Sequence, residues 1–247
     1  MVSKYILNLS ITFMVILAYY KYGKLLIIKL SQRITRYFKL AKYFPGNDIE
    51  GVIELAMIAT SHVAFCLVLL WLVPVHLPHR DLSLYETVIF LIYGVLLGIG
   101  CMGVSALFCK IAIQIIDSFK KNNSYDLKSW LTVGRGGWIK HHLQSIEILP
   151  IYLSLIVLTM QVGSEEIIFR GIMLNYFIIF GKYIAFFTSL SSFILMQAFL
   201  MNKWQAAIFP MIGAAIMGFI HSIAYINVPI LWPLIIAHVT FFIFSVI

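Results

Sequence analysis

The chain has 247 residues, of which 62% are apolar and only 11% are charged, and its formal net charge is +8. A soluble domain carries about 45–50% apolar and about 25% charged residues, and a fold of this length has too little interior to bury the excess. The composition therefore excludes a soluble globular protein. Because the positive charge is concentrated beside apolar runs, it indicates anionic lipid headgroups rather than nucleic acid as the partner.

Apolar runs long enough to cross a bilayer follow one another along the chain. No small-residue cleavage site follows the first run, so we predict a retained helix there and not a signal peptide. The fourth and fifth runs can also be read as one long bent helix. The sequence thus predicts an all-α, polytopic transmembrane bundle with seven or eight spans, near 5–20, 51–73, 86–116, 148–163, 164–180, 183–201, 206–226 and 229–247.

Two basic segments lie outside these runs. The first, 21–46, has seven Lys and Arg residues between Lys21 and Lys42 and no acid among them, with apolar residues at helical spacing. This pattern is typical of an amphipathic helix at the membrane interface. The second, 117–147, is the longest polar stretch and is also basic. Both are predicted to be cytoplasmic, which requires an even number of crossings between them.

Pairs of small residues four positions apart occur in two of the predicted spans. Gly94 and Gly98 form one pair, and Ala214 and Gly218 form the other. Small residues let helix backbones approach closely in lipid, so both pairs predict helix packing.

Three charged residues lie close together between two apolar runs, at Glu165, Glu166 and Arg170. Charged side chains within a span are costly and are therefore functional candidates. Glu166 and Arg170 are four apart, so they face each other on a helix and predict an ion pair. Glu165 points about 100° away and has no local cation, which suits a general base in a protected cavity. The alternative is a structural ion pair at a helix start.

Two histidines lie within the later spans, His221 and His238. Each can be an interhelical hydrogen-bonding group or a catalytic group.

The remaining polar candidates are predicted to be structural. Glu54 and His62 lie on roughly the same side of the second span and could pair with each other. His141 and His142 are adjacent, and adjacent helical positions do not converge on one ligand, so they are weak metal candidates.

The segment EEIIFRG, followed by a span, then LSSFILMQAFL, then a Gly-containing span and PLIIAH, resembles the CAAX protease and bacteriocin-processing family (CPBP, or Abi). Its members are polytopic intramembrane endopeptidases, some of which cleave prenylated or unmodified peptides. The family pattern is EExxxR, FxxxH and HxxxN on separate helices. The resemblance covers 148–247 and implies a CPBP-like core there, whereas 1–147 contributes N-terminal spans with basic cytoplasmic loops.

The resemblance implies a role for each matching residue. Glu165 would activate water and Arg170 would fix Glu166. His238, alone or together with His221, would stabilise the tetrahedral oxyanion.

The sequence departs from the family pattern in two motifs. Aligned on SSFILMQAFL, the second motif has Leu195 in place of its Phe and Phe199 in place of its His, and the third has Phe242 in place of its Asn. A phenyl ring cannot hold the attacking water or an oxyanion by a proper hydrogen bond.

Two classes of function follow. The first is an intramembrane endopeptidase that acts on a membrane-associated peptide or protein through a glutamate-activated water. The second is a catalytically silent family member that acts as a membrane scaffold, an immunity factor or a regulator of a partner. A catalytic zinc usually takes three protein ligands. A zinc ion is possible because three candidate residues, Glu165, His221 and His238, are available. The expected location is the plasma (cell) membrane.

Overall fold

The computed structural model describes residues 2–39, 42, 49–78, 80–119, 138–201 and 204–246. All the longer regular elements in these ranges are helical. They are α1 (Val2–Ile16), a first π-helical segment (Leu17–Gly23), α2 (Lys24–Tyr37), α3 (Ile49–Leu72), α4 (Leu84–Phe119), α5 (Trp138–Ile148), α6 (Ile151–Glu166), a second π-helical segment (Ile167–Leu174), two short turns (Asn175–Phe177 and Ile178–Phe180), α7 (Lys182–Leu200), α8 (Trp204–Asn227) and α9 (Trp232–Val246).

The prediction of an all-α polytopic bundle is confirmed. Among the described residues, six helical stretches are long and apolar enough to cross a membrane, and Trp232–Ser245 is a shorter apolar helix. The predicted fourth and fifth spans are a single stretch, Ile151–Phe180, because α6 runs directly into the second π-helical segment. The described residues therefore contain six long apolar helices and one short one, where the sequence predicted seven or eight spans.

The first basic segment is helical over much of its length. Lys24–Tyr37 continues α1 through the π-helical segment, so it is not the separate interfacial helix predicted from the sequence. Ser31 and Thr35 are buried on its inner side. At about 1.5 Å per residue, Tyr5–Tyr37 is about 50 Å long, which exceeds the hydrocarbon thickness of about 30 Å. The basic end of this helix can therefore extend beyond the hydrocarbon. Residues 40–41, 43–46 and 120–137 of the two basic segments lie outside the described residues.

We expect the two basic segments to lie on the same, cytoplasmic, side of the membrane, since α3 and α4 are the two crossings between them. Cysteines introduced at Tyr37 and Ser124, in a variant without native cysteines, should react alike with a membrane-impermeant maleimide applied to intact cells and to inverted vesicles. Tyr37 is 81% exposed. His76→Cys, in the connection between α3 and α4, should show the opposite accessibility. Labelling of Tyr37 and Ser124 from opposite sides would contradict this topology.

Glycines bring α4 against α9, as the first small-residue pair predicted. A Cβ atom at Gly94 would lie 2.6 Å from the carbonyl oxygen of Pro233. A Cβ atom at Gly98 would lie even closer to the carbonyl oxygen of Ala237. Because Ala237 precedes His238, this close approach of the two backbones sets the position of that histidine.

The second small-residue pair brings α8 against α7. Ala214 is buried, and a Cβ atom at Gly218 would lie 2.7 Å from Leu190 Cδ1 and 3.3 Å from Arg170 Nη2. A larger residue at 218 would therefore press on the Arg170 guanidinium as well as on α7.

Candidate active site

The two adjacent carboxylates occupy the last turn of α6, where the helix changes to π-helical geometry. Glu165 and Glu166 are 1% and 0% exposed, and Arg170, within the second π-helical segment, is 0% exposed. Single π-helical turns inside α-helices occur frequently at functional sites. Three fully buried ionisable groups within six residues require partners from other helices, because an unpaired buried charge is strongly destabilising.

Glu166 has the most polar partners of these three groups. Its Oε1 atom lies 2.8 Å from His238 Nδ1 and 3.1 Å from His221 Nδ1. Arg170 Nη1 lies 3.4 Å from both carboxylate oxygens, which confirms the predicted i,i+4 ion pair. Since an ionised carboxylate can only accept hydrogen bonds, both histidines donate from Nδ1 to Glu166. Glu166 therefore orients two imidazoles, and Arg170 compensates its charge.

Arg170 is also held by an aromatic ring from α7. Its Cζ atom lies 4.3 Å from the centroid of the Phe193 ring, a cation–π distance. The same ring meets His238 edge-on at 5.9 Å. Phe193 thus packs against two of the three partners of Glu166, namely Arg170 and His238.

Glu165 has a different environment from Glu166. Its Oε1 atom is 3.9 Å from His62 Nε2, and its Oε2 atom is 3.9 Å from His238 Nε2. Gln161, one turn earlier in α6, is a further polar neighbour of the Glu165 carboxylate. His238 therefore lies between the two carboxylates, with Nδ1 on Glu166 and Nε2 toward Glu165.

The predicted pairing of Glu54 with His62 is wrong. Eight residues of α-helix separate the two Cα atoms by about 12 Å along the axis, which is too far for direct contact. Glu54 instead lies 4.0 Å from His141 Nε2, and His62 turns toward Glu165. His62 is a site residue that the sequence analysis assigned to structure, although its place within a span was a signal for function.

His141 and His142 diverge, as expected for adjacent helical positions. His142 is buried, and its Nε2 lies 3.2 Å from Gln161 Oε1. Burial lowers the pKa of His142 to about 4, so its imidazole is neutral at neutral pH. A neutral imidazole can donate to Gln161 Oε1, which leaves the Gln161 amide nitrogen available for Glu165.

Several buried polar atoms around Glu165 and Glu166 have no hydrogen-bond partner among the described residues. They include Glu165 Oε2, the Nε2 atoms of His62, His221 and His238, and the Tyr20 hydroxyl. Buried polar groups are normally satisfied by protein or by ordered water. A cavity of about 30 Å³ adjoins this cluster and is lined in part by Gln161 and His238. This volume is sufficient for a water molecule.

Phe199 and His221, the two residues considered for the second motif, have different surroundings in the structure. Phe199 lies beside Lys21, with the ammonium 5.9 Å from its ring centroid, and does not line the cavity at His238. Besides His238, the histidine that reaches Glu166 is His221 in α8, four residues after Met217 in the segment MGFIH. The structure thus places His221, and not Phe199, beside Glu166.

Phe242 occupies the place that the third motif assigns to Asn. Its ring lies one turn after His238, with 6.1 Å between the ring centroids, and it lines the same cavity. Its other neighbour is His142, at 5.1 Å. At this position a phenyl ring replaces the polar side chain of the family pattern.

The described residues do not fit a metal centre. No group of three or more His, Cys, Asp or Glu side chains within them is arranged to hold a metal ion. Glu165 and His238 lie close together, but His221 contacts Glu166 and not Glu165. Among the described residues, the three candidate zinc ligands therefore do not form a group that could hold a metal ion.

Comparison with known proteins agrees with this arrangement. Residues 147–244 match the family model described as type II CAAX prenyl endopeptidase Rce1-like. No curated protein and no solved structure matches the chain. The matched region contains both carboxylates and both histidines that contact Glu166. The match confirms the resemblance to the CPBP family and, with the six apolar helices, supports an integral multi-pass membrane protein of the CAAX-protease kind.

Proposed function

We propose that this chain, whose residues 147–244 form an Rce1-like domain, is an intramembrane endopeptidase that uses Glu165 to activate water against a membrane-associated peptide. The observation that carries the proposal is the contrast between two adjacent buried carboxylates. Glu166 has a guanidinium and two imidazole N–H groups as partners, whereas Glu165 has the Nε2 atoms of His62 and His238 at 3.9 Å, and a cavity is lined by its neighbours Gln161 and His238. Neighbouring carboxylates in contrasting environments take different catalytic roles.

In the proposed reaction, Glu165 removes a proton from water as the water oxygen attacks the peptide carbonyl carbon. A new C–O bond forms, and the carbonyl oxygen becomes an oxyanion. The C–N bond then breaks, and Glu165 returns the proton to the leaving nitrogen. The products are a new carboxylate and a new amine, so no oxidant or cofactor is needed.

His238 and His221 act on the oxyanion and not on the attacking water. Glu166 holds both rings through Nδ1, so their Nε2 atoms are directed away from it. When either imidazole carries a second proton, its Nε2–H can donate to the oxyanion. Arg170 and Glu166 are positioning residues in this scheme, because they act through the histidines.

The alternative function, a silent family member acting as a membrane scaffold or as an immunity or regulatory factor, is favoured by Phe242. A phenyl ring at this place can neither bind water nor stabilise an oxyanion. However, His221 provides a second histidine beside Glu166, as the family pattern would require. Of the two departures from that pattern, only Phe242 therefore still argues against catalysis.

The test is hydrolysis by the purified protein in lipid vesicles. The probes are a farnesylated peptide ending in a CAAX sequence and the same peptide without the lipid, incubated in water enriched in ¹⁸O. We expect cleavage of at least one probe, with one solvent ¹⁸O atom in the new carboxylate. Cleavage of the farnesylated probe alone would identify lipidated substrates. Product levels equal to those of protein-free vesicles for both probes would contradict the peptidase function and favour the scaffold.

A further inference from the structure

One imidazole beside Glu165 comes from outside the Rce1-like domain. His62 lies in the middle of α3, more than eighty residues before the first matched residue. Its side chain is 1% exposed. The family pattern assigns no role to this helix, so the contact between His62 and Glu165 is a property of this chain's own packing.

The tautomer of His62 follows from its other contacts. Its Nδ1 atom lies 3.0 Å from the carbonyl oxygen of Ile58. Because a carbonyl oxygen can only accept, Nδ1 carries the proton, and in the neutral ring Nε2 presents a lone pair. Tyr19 supports the same edge, with its hydroxyl 3.3 Å from Nδ1. The hydrogen bonds that orient the ring thus use Nδ1.

The Nε2 atom is directed toward the reacting carboxylate. It is 3.9 Å from Glu165 Oε1 and has no hydrogen-bond partner among the described residues. His238 Nε2 has the same relation to Glu165 Oε2. Two lone pairs therefore flank one carboxylate, each at a distance too long for a direct hydrogen bond and consistent with a water molecule between the two groups.

A purely structural role does not account for this edge of His62. Its structural hydrogen bond, to Ile58, uses Nδ1 alone, and leaving a buried acceptor unsatisfied costs free energy. The first π-helical segment adds a further polar atom: the Tyr20 ring meets His62 at 5.2 Å, and the Tyr20 hydroxyl is likewise without a partner among the described residues.

We propose that His62 is a second water-binding residue of the site, beside Glu165, and that its Nε2 accepts a hydrogen bond from one hydrogen of the attacking water while Glu165 removes the other. His62 then supplies, from α3, a polar contact in a site where Phe242 provides none. The inference rests on the proposed peptidase function. It extends the functional site from the Rce1-like domain to the N-terminal helices.

The test uses two substitutions, each of which keeps a polar group near one of the two imidazole nitrogens. His62→Asn keeps an amide near the Nδ1 position, so the contact with Ile58 can persist, and removes the Nε2 position. His62→Gln places an amide oxygen near Nε2. Turnover of whichever peptide the wild type cleaves is measured for both, together with the thermal unfolding midpoint in detergent. His141→Asn, which removes another imidazole contacting α3, is the matched control.

We expect His62→Asn to lower kcat by about 10- to 100-fold, as for loss of one hydrogen bond to a reacting group, with KM nearly unchanged because water is not part of the bound peptide. His62→Gln should recover turnover to within about tenfold of wild type. The unfolding midpoint should be close to that of wild type in both variants, and His141→Asn should behave as wild type in both assays.

The outcomes separate this inference from the function on which it rests. Wild-type kcat in His62→Asn, with turnover lost in Glu165→Gln, would overturn the role of His62 and leave the peptidase function intact. Equal losses in His62→Asn and His62→Gln, with lowered unfolding midpoints, would show that His62 is structural and would also overturn the inference. Unchanged turnover in Glu165→Gln as well as in His62→Asn would overturn both proposals.

Discussion

Glu165→Gln is expected to lower peptide turnover by about 10²–10⁴-fold, the usual contribution of a general base. The amide is nearly isosteric with the carboxylate but cannot take a proton from water. Folding should tolerate the change, because the neighbours of Glu165 are Gln161 and two imidazoles at 3.9 Å, and the chain keeps the Glu166–Arg170 pair. The measurement is kcat in vesicles, together with expression level and unfolding midpoint.

The matched control is Glu54→Gln. Glu54 is also a carboxylate on a candidate span, but it pairs with His141 and lies away from the cavity. Its amide variant should keep full turnover. If Glu165→Gln retained wild-type turnover while folding normally, Glu165 would not be the base. If the cellular phenotype of the protein also survived this substitution, the scaffold function would be preferred.

Arg170→Ala is expected to destabilise the protein by about 3–5 kcal/mol, the usual result of removing one partner of a buried ion pair. Glu166 would then retain only imidazole donors at 2.8 and 3.1 Å. The Phe193 ring would also lose the cation 4.3 Å from its centroid. The change is measured as the free energy of unfolding in detergent, with folded yield as a second readout.

The double variant Glu166→Gln with Arg170→Ala should be less destabilised than Arg170→Ala alone, because no uncompensated charge remains in the core. The amide oxygen of glutamine can still accept from His221 and His238. Arg80→Ala, which breaks the exposed Arg80–Glu86 pair, should leave stability almost unchanged. Equal destabilisation by the single and double Arg170 variants would show that Arg170 and Glu166 are not coupled.

Local sequence spacing was sufficient for the features that depend on one helix. Apolar runs of span length predicted the helical bundle, because a bilayer satisfies backbone groups only within helices or closed barrels. The four-residue spacing of Glu166 and Arg170 predicted their ion pair, which needs no other helix. The divergence of His141 and His142 followed from the same helical geometry.

The sequence allowed the fourth and fifth spans to be separate or continuous, because a π-helical turn has no simple signature in composition. Glu165, Glu166 and Arg170 look like a polar break between two apolar runs. Glu166 pairs with Arg170, however, and histidines from α3, α8 and α9 face the two carboxylates, so the helix Ile151–Phe180 continues through them. Compensation of a charge by residues distant in sequence cannot be read from the segment that carries it.

The sequence by itself determined the class of fold, the family resemblance and the adjacent carboxylates with their arginine. Only the tertiary structure decided that His221 and His238 share Glu166, that Phe199 lies outside the site, and that His62 approaches Glu165. The physical reason is that contacts between helices depend on which faces pack together. Close approaches such as Gly98 to Ala237 set those faces, and the residues that meet there are more than a hundred positions apart.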